Sequence, residues 1–214
     1  VRLLFATRSA GKQREIRHYL EAAGHEVVFP DEAGVPETTA EESLEQSDSF
    51  ETNARKKAEY FIKKTGLPTV ADDSGLEVFA LGGEPGVRSK RWANATGSSR
   101  QVDEANNAEL LRRLKGAPEN RRRARYRCVM VFLRTPGSIP EVFEGLCGGR
   151  ILEAAEGTDG FGYDPLFFSD ELGKSFGTAT IEEKERVSHR GQALAKLAAR
   201  LGGPAKPATD SPTP

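Results

Sequence analysis

The 214-residue sequence holds only two cysteines, one methionine and one tryptophan. Cys128 and Cys147 each sit inside an apolar, strand-like run. Two isolated thiols of this kind argue against a disulfide framework or a zinc site and predict reduced core residues of a cytoplasmic protein. No apolar run approaches the ~20 residues that a bilayer span needs. No basic-then-apolar leader opens the sequence, so neither membrane insertion nor secretion is expected. An excess of one charge is missing too: 31 Lys and Arg stand against 32 Asp and Glu, a net charge of −1. That balance argues against holding long nucleic acid through bulk charge. There is no internal repeat. What remains, at 37% hydrophobic and 29% charged residues, is the composition of a soluble domain, large enough to bury about 70% of its unfolded surface. An enzyme acting on something small is expected.

Strand-like and helix-like segments alternate. Arg2–Thr7 is a short apolar run ending in small polar residues, as a buried strand would. After Gly11-Lys12, residues Ile16, Tyr19, Leu20 and Ala23 recur at helical spacing, and Gly24 supplies the stop. Residues 25–29 read as a second strand, and the acidic, Ser/Thr-rich 31–49 as a surface loop. Asp48 and Glu51 suit a capping pair for a second helix that buries Phe50, Ala54, Ala58, Phe61 and Ile62. Thr69–Ala71 predicts a short strand entering Asp72-Asp73-Ser74-Gly75, with Leu76, Val78 and Ala80 continuing as a strand or hairpin arm. Residues 82–97 predict a long functional loop. A third helix is expected over roughly 100–114, burying Leu110, Leu111 and Leu114. Tyr126–Leu133 and Glu141–Cys147 predict an antiparallel hairpin around Thr135-Pro136-Gly137. A last helix should run from Ser188 to Gly202, and the proline-rich 203–214 should be disordered. The pattern predicts an α/β fold, a mixed β-sheet flanked by helices, in a single domain over 1–202.

Four segments carry candidate chemistry. In Thr7-Arg8-Ser9-Ala10-Gly11-Lys12, a glycine ahead of a helix lets backbone N–H groups face an anion, with the lysine as a point charge. Gln13 stands where a Walker A loop has Ser or Thr, and an ordinary strand-to-helix turn is the alternative. In Asp72-Asp73-Ser74-Gly75, neighbouring strand carboxylates face opposite ways, so one could hold Mg²⁺ or activate water while the other braces a turn. An Asx turn closing a strand is the alternative. Phe161 and Tyr163, between the glycines of 157–165, look like poor core candidates and suit stacking on a base; an aromatic plug over the core is the alternative. Lys184 and Ser188-His189-Arg190 put cations at a helix start, where the helix dipole disfavours them, and so suggest an anionic partner. A solvated helix start is the alternative. The arginines at 121, 122, 123, 125 and 127 read as the wet face of a strand.

In order and together these segments resemble the inosine triphosphate pyrophosphatase family. The shared pieces are Ala6-Thr7-x-x-x-Gly11-Lys12-x-x-Glu15, Phe50-x-x-Asn53-Ala54, Ala71-Asp72-Asp73-Ser74-Gly75-Leu76 and Leu81-Gly82-Gly83-x-Pro85-Gly86-Val87. Gly160-Phe161-Gly162-Tyr163-Asp164-Pro165 and Glu183-Lys184-x-x-x-Ser188-His189-Arg190-Gly191-x-Ala193 complete the set, which covers residues 3 to about 200. The resemblance implies Mg²⁺-dependent hydrolysis of non-standard purine nucleoside triphosphates between the α- and β-phosphates. It implies Asp73 as general base and metal ligand, with Glu45, five residues before Phe50, as the second metal-side carboxylate. It also implies substrate contacts from Thr7, Arg8, Ser9, Ala10, Gly11, Lys12 and Ser74, a base site at Phe161, Gly162, Tyr163 and Asp164, and phosphate or purine-oxygen contacts from Lys184, His189 and Arg190. The implied fold is an elongated mixed sheet in two lobes with a central cleft, usually as a homodimer. Three positions depart from the family's pattern: Ser9 replaces Asn, Gln46-Ser47-Asp48 replaces the stretch after the metal-side glutamate, and Thr52 replaces a common Glu.

Phosphoryl chemistry suits such a set, since it needs positioning and charge neutralisation more than covalent help, and no Ser/Cys–His nucleophile pair is evident. Donors aimed at a 6-keto oxygen would discriminate against a 6-amino purine. A pyrophosphatase for modified pyrimidines, a nucleotide sensor without turnover, and RNA binding through residues 121–127 are the rival readings.

Overall fold

The computed structural model describes residues 1–202, so the 203–214 segment lies outside the described residues. Its centre is a seven-stranded sheet in the order β2-β1-β3-β4-β5-β6-β7. Strand β1 (Arg2–Phe5) runs parallel to β2 (Glu26–Val28) and β3 (Thr69–Val78). From β3 onward the neighbours are antiparallel: β4 (Arg123–Leu133), β5 (Glu141–Ile151), β6 (Phe167–Ser169) and β7 (Lys174–Ser175). The sheet is therefore mixed, and the 11-residue strands β4 and β5 each extend about 37 Å at ~3.4 Å per residue.

Alternation along β1 and β3 sends successive side chains to opposite faces, and each face has its own core. Leu3, Phe5, Val70 and Met130 pack with Ile16 and Leu20 of α1 (Ala10–Ala22) and Leu194 and Leu197 of α5 (His189–Leu201). Leu4, Ala6, Ala71 and Val131 pack with Ala54, Ala58, Phe61 and Ile62 of α2 (Phe50–Thr65). A third core at the other end of the long strands joins Leu76, Val78, Tyr126, Cys147, Phe167 and Phe176 to Leu110 of α3 (Ser99–Arg113). Helix α4 (Ile181–Val187) leads directly into α5, with Ser188 closing one and capping the other. No helix among the described residues is long and apolar enough to cross a membrane.

The structure revises several local expectations. Asp72-Asp73-Ser74-Gly75 forms no turn: β3 runs unbroken for ten residues through it, because β4 pairs with every position. Ala80 lies beyond the strand, in a 3-10 helix (Phe79–Leu81), and is exposed. Ser49, next to the helix, caps α2 in place of Asp48, accepting the Thr52 N–H at 3.3 Å. The acidic 31–49 segment contains a 3-10 helix (Thr39–Glu45) with no buried residue, and 82–97 contains another (Gly86–Arg91). Leu111 is half-buried. Arg122 is not on the wet face; it is buried and donates to the carbonyls of Leu114, Ile151 and Leu152. Arg123, Arg125 and Arg127 do line that face, and each is paired, with Asp170, Glu77 and Glu144 respectively. Cys128 and Cys147 are buried free thiols, and burial pushes Cys147 up to about 11.

Candidate active site

The site is organised by the two carboxylates in the middle of β3, which point to opposite faces. Asp72 is completely buried beside α1 and α5, 2.9 Å from Lys12 Nζ and 3.6 Å from Arg190 Nη2. Burial alone would raise its pKa, but the Lys12, Arg190 and Lys57 charges outweigh it and hold the carboxyl well below the usual range. Asp73 faces α2: Oδ2 accepts from Asn53 Nδ2 at 2.8 Å and Oδ1 from the Ser74 N–H at 3.0 Å. Here burial dominates and raises the pKa, with the Glu45 charge acting in the same direction against Lys57 and Lys12. Lys57, one turn after Asn53, donates to Glu45 and to the Asp72 carbonyl. Its pKa is raised despite burial because Glu45, Asp73 and Asp72 surround it.

Glu15 bridges the cations at the other side, with Oε1 2.6 Å from Lys184 Nζ and Oε2 2.5 Å from Arg190 Nη1. Lys184 also meets Asp164 Oδ2 at 2.6 Å, and Arg190 donates to Ser74 Oγ at 2.9 Å. The anionic partners suggested by cations at a helix start are thus partly internal. His189 is not one of those cations: it is buried and stacked on Tyr126 with centroids 4.6 Å apart. Burial, then the Arg190 and Lys184 charges, push its pKa well below normal, so the ring is neutral.

A cavity of about 810 Å³ joins these groups. Its walls include Thr7, Arg8, Ser9 and Lys12 on one side, Glu45 and Ser74, and Phe161 through Asp164 with Lys184, His189 and Arg190 on the other. Three expected contacts are not on its wall. Ala10 is exposed at the first position of α1. Gly11 is covered by Phe161, whose ring would stand 2.5 Å from a Cβ there, so close packing is the structural reason for that glycine. Asp73 is 6% exposed and is not part of the wall, although its chain neighbours Ser74 and Gly75 are. Two wall residues are otherwise engaged. Ser9 caps α1, and Arg8 is bound by Glu41 at 2.7 Å, Asp31 at 2.5 Å and the Val35 carbonyl at 3.1 Å.

The aromatic pair divides its work. Tyr163 belongs to the core and donates to the Ser89 carbonyl at 2.7 Å, so the plug reading holds for it. Phe161 is half-buried, with Lys184 Nζ 4.8 Å and Arg190 Cζ 5.6 Å from its ring centroid, and is the ring left to face a ligand.

Glu45, on the cavity wall, and Asp73, off the wall but close enough to feel the Glu45 charge, are hard oxygen donors. No group of three or more His, Cys, Asp or Glu side chains among the described residues is arranged to hold a metal ion. Mg²⁺ needs only one or two carboxylates when phosphates and water complete its shell, so this pair fits that ion. The altered 46–48 stretch is held through its backbone: Asn53 bonds both the Ser47 N–H and the Ser47 carbonyl, at 2.9 and 3.1 Å. Thr52 is exposed and makes no side-chain contribution here. Sequence reasoning missed Lys57 and gave Asn53 and Glu15 no role. The signal for the first two was polar residues at 53 and 57 interleaved with the buried alanines 54 and 58.

Residues 3–200 match the Ham1 family. A dITP/XTP pyrophosphatase of Methylococcus capsulatus is 46% identical over 201 residues, covering 94% of this chain and 96% of that protein. One from Thermus thermophilus is 43% identical over 95% of this chain and 94% of its own length. Among solved structures, the Coxiella burnetii HAM1 protein superposes with a TM-score of 0.79 at 32% identity, covering 94% of this chain and 98% of that one. A Mycobacterium abscessus structure described as a nucleoside-triphosphatase and dITP/XTP pyrophosphatase gives 0.70 at 41% identity, covering 94% and 100%.

Proposed function

Because the chain belongs to the Ham1 family, we propose that it hydrolyses the non-standard purine nucleoside triphosphates dITP, ITP and XTP to the monophosphate and pyrophosphate with Mg²⁺. The observation that carries this reading is one cavity shared by the acidic Glu45 side and the cationic Lys12, Lys184 and Arg190 side, with Phe161 at its edge. Phosphoryl transfer depends on placing a phosphate chain among such charges. Glu45 and Asp73 would hold Mg²⁺, which when bound neutralises charge on the phosphates. Asp73, off the cavity wall but with its proton affinity raised by burial, would orient and deprotonate a water that reaches it from the cavity. Lys12, with Lys184 and Arg190, binds the phosphates or the 6-keto edge. Phe161 stacks on the base, a contact worth about 1–3 kcal/mol. A cytoplasmic homodimer with its cleft between two lobes completes the proposal.

The test is a panel of dITP, ITP, XTP, dTTP, UTP and the ordinary purine triphosphates, with pyrophosphate detection with and without Mg²⁺. Release from the 6-keto non-standard purines alone, dependent on Mg²⁺ and lost in a folded Asp73→Asn variant, is expected. Turnover of the pyrimidines instead, or near-normal turnover by Asp73→Asn, overturns the reading.

A further inference from the structure

Helix α3 buries only Asn106 and Leu110, although most helices in folded proteins are stabilised by a packed apolar face. Its polar side chains do much of the attaching. Asn106 Nδ2 donates to the carbonyls of Ser89 and Lys90 at 3.2 and 3.0 Å, and its Oδ1 accepts the Ala93 N–H at 2.9 Å. These bonds fix α3 against the 3-10 helix at Gly86–Arg91. The same Ser89 carbonyl receives the Tyr163 hydroxyl.

Two further side chains of α3 reach the loop that carries Phe161. Asp103 Oδ2 accepts the Gly162 N–H at 2.9 Å, and Asn107 Nδ2 donates to the Gly162 carbonyl at 2.9 Å. Four residues apart, they share one helix face and grip both polar groups of a single residue. Gly162 adopts φ +63, and the chain reverses there between Tyr163, anchored in the core, and Phe161, facing the cavity. Lys90 lies 2.9 Å from Asp103 Oδ1 and so leaves Oδ2 to the loop. On the other side, the Phe161 N–H donates to Asp164 Oδ2 at 2.8 Å.

We infer that Asp103 and Asn107 are positioning residues that set Phe161 as the stacking platform for the nucleotide base. They act through the Gly162 peptide, and the inference rests on the nucleotide reading of the cavity. Stacking tolerates different bases because every base has a π-face. The clamp therefore governs how tightly a nucleotide is held, and leaves the choice among bases to Lys184 and the residues around it.

The experiment is steady-state kinetics with dITP and XTP on Asp103→Ala, Asn107→Ala, Asp103→Asn and Phe161→Ala, with each combination of a clamp variant and Phe161→Ala. The expected result is a KM increase of about tenfold in the two alanine clamp variants, with kcat within twofold and the dITP-to-XTP ratio unchanged. Asp103→Asn keeps an acceptor for the Gly162 N–H and should restore most of the loss. In the Phe161→Ala background the clamp substitutions should add nothing, since coupled residues fail additivity. Amide exchange at Gly162 should accelerate in Asp103→Ala, a readout that needs no substrate. Unchanged KM in the clamp variants, or effects that multiply fully with Phe161→Ala, overturns the clamp while leaving the base platform standing. Unchanged KM in Phe161→Ala removes the platform itself and the clamp's role with it.

Discussion

Replacing Glu15 with Gln removes the negative charge that Lys184 and Arg190 share while keeping the side chain's shape. Breaking a buried ion pair costs about 3–5 kcal/mol when it strands its partner. Neither partner is fully stranded here: Lys184 keeps Asp164 and Arg190 keeps Asp72. The Glu15 side chain is also 18% exposed, so the expected cost is the lower end, about 3 kcal/mol. For a chain of this size that lowers Tm by roughly 6–12 °C at pH 7.5. The effect must depend on pH with a defined sign. Burial would raise the Glu15 pKa, but Lys184 and Arg190 outweigh it and lower it. A carboxylate whose pKa is depressed on folding stabilises above its unfolded pKa of about 4.3 and loses that contribution as pH falls through the folded value. Melting curves of the two proteins should converge from pH 5 downward. A variant melting within 1 °C of the wild type at pH 7.5, or a gap that persists undiminished to pH 3, refutes the reasoning.

Other substitutions separate packing from chemistry. Gly145→Ala puts a Cβ 1.9 Å from the His189 carbonyl oxygen, so α5 must lift from β5; urea titration should show a loss of about 3 kcal/mol. Gly11→Ala forces the Phe161 ring aside, since its Cδ1 stands 2.5 Å from the new Cβ. A severalfold higher KM for dITP with an almost unchanged melting temperature is expected. His189→Phe should flatten the acid side of the stability profile. The buried neutral histidine has a depressed pKa, so it is without effect above the unfolded pKa of about 6.5, and below it the unfolded chain takes up a proton that the folded one refuses, costing about 1.4 kcal/mol by pH 5.5. Equal slopes for the two proteins between pH 7.5 and 5.5 would count against that burial.

The parts of this molecule legible in sequence are those governed by short periodicities. The strand runs of β4 and β5, the helical stripe of α2 and the start of α5 at about Ser188 all follow from local rules and reappear in the structure. The opposite facing of Asp72 and Asp73 was readable for the same reason, although the turn expected around them was not there. β4 supplies a partner for every residue of β3, so tertiary pairing overrides the turn preference of Asp-Ser-Gly. Phe161 and Tyr163 look alike in sequence and both border the cavity, but Tyr163 is tied into the core while Phe161 is left half-buried, with Gly162 reversing the chain between them. Glu15 meets its cations at positions 184 and 190, a contact across the whole chain that no local pattern encodes.

The bridging of Lys184 and Arg190 by Glu15 makes ligand entry an exchange. An incoming polyanion does not meet bare positive charge; it must outcompete a resident carboxylate fastened to the scaffold, and gains only the difference between the two partners. Simple anions that cannot also engage the ring and the acidic side have little with which to displace it.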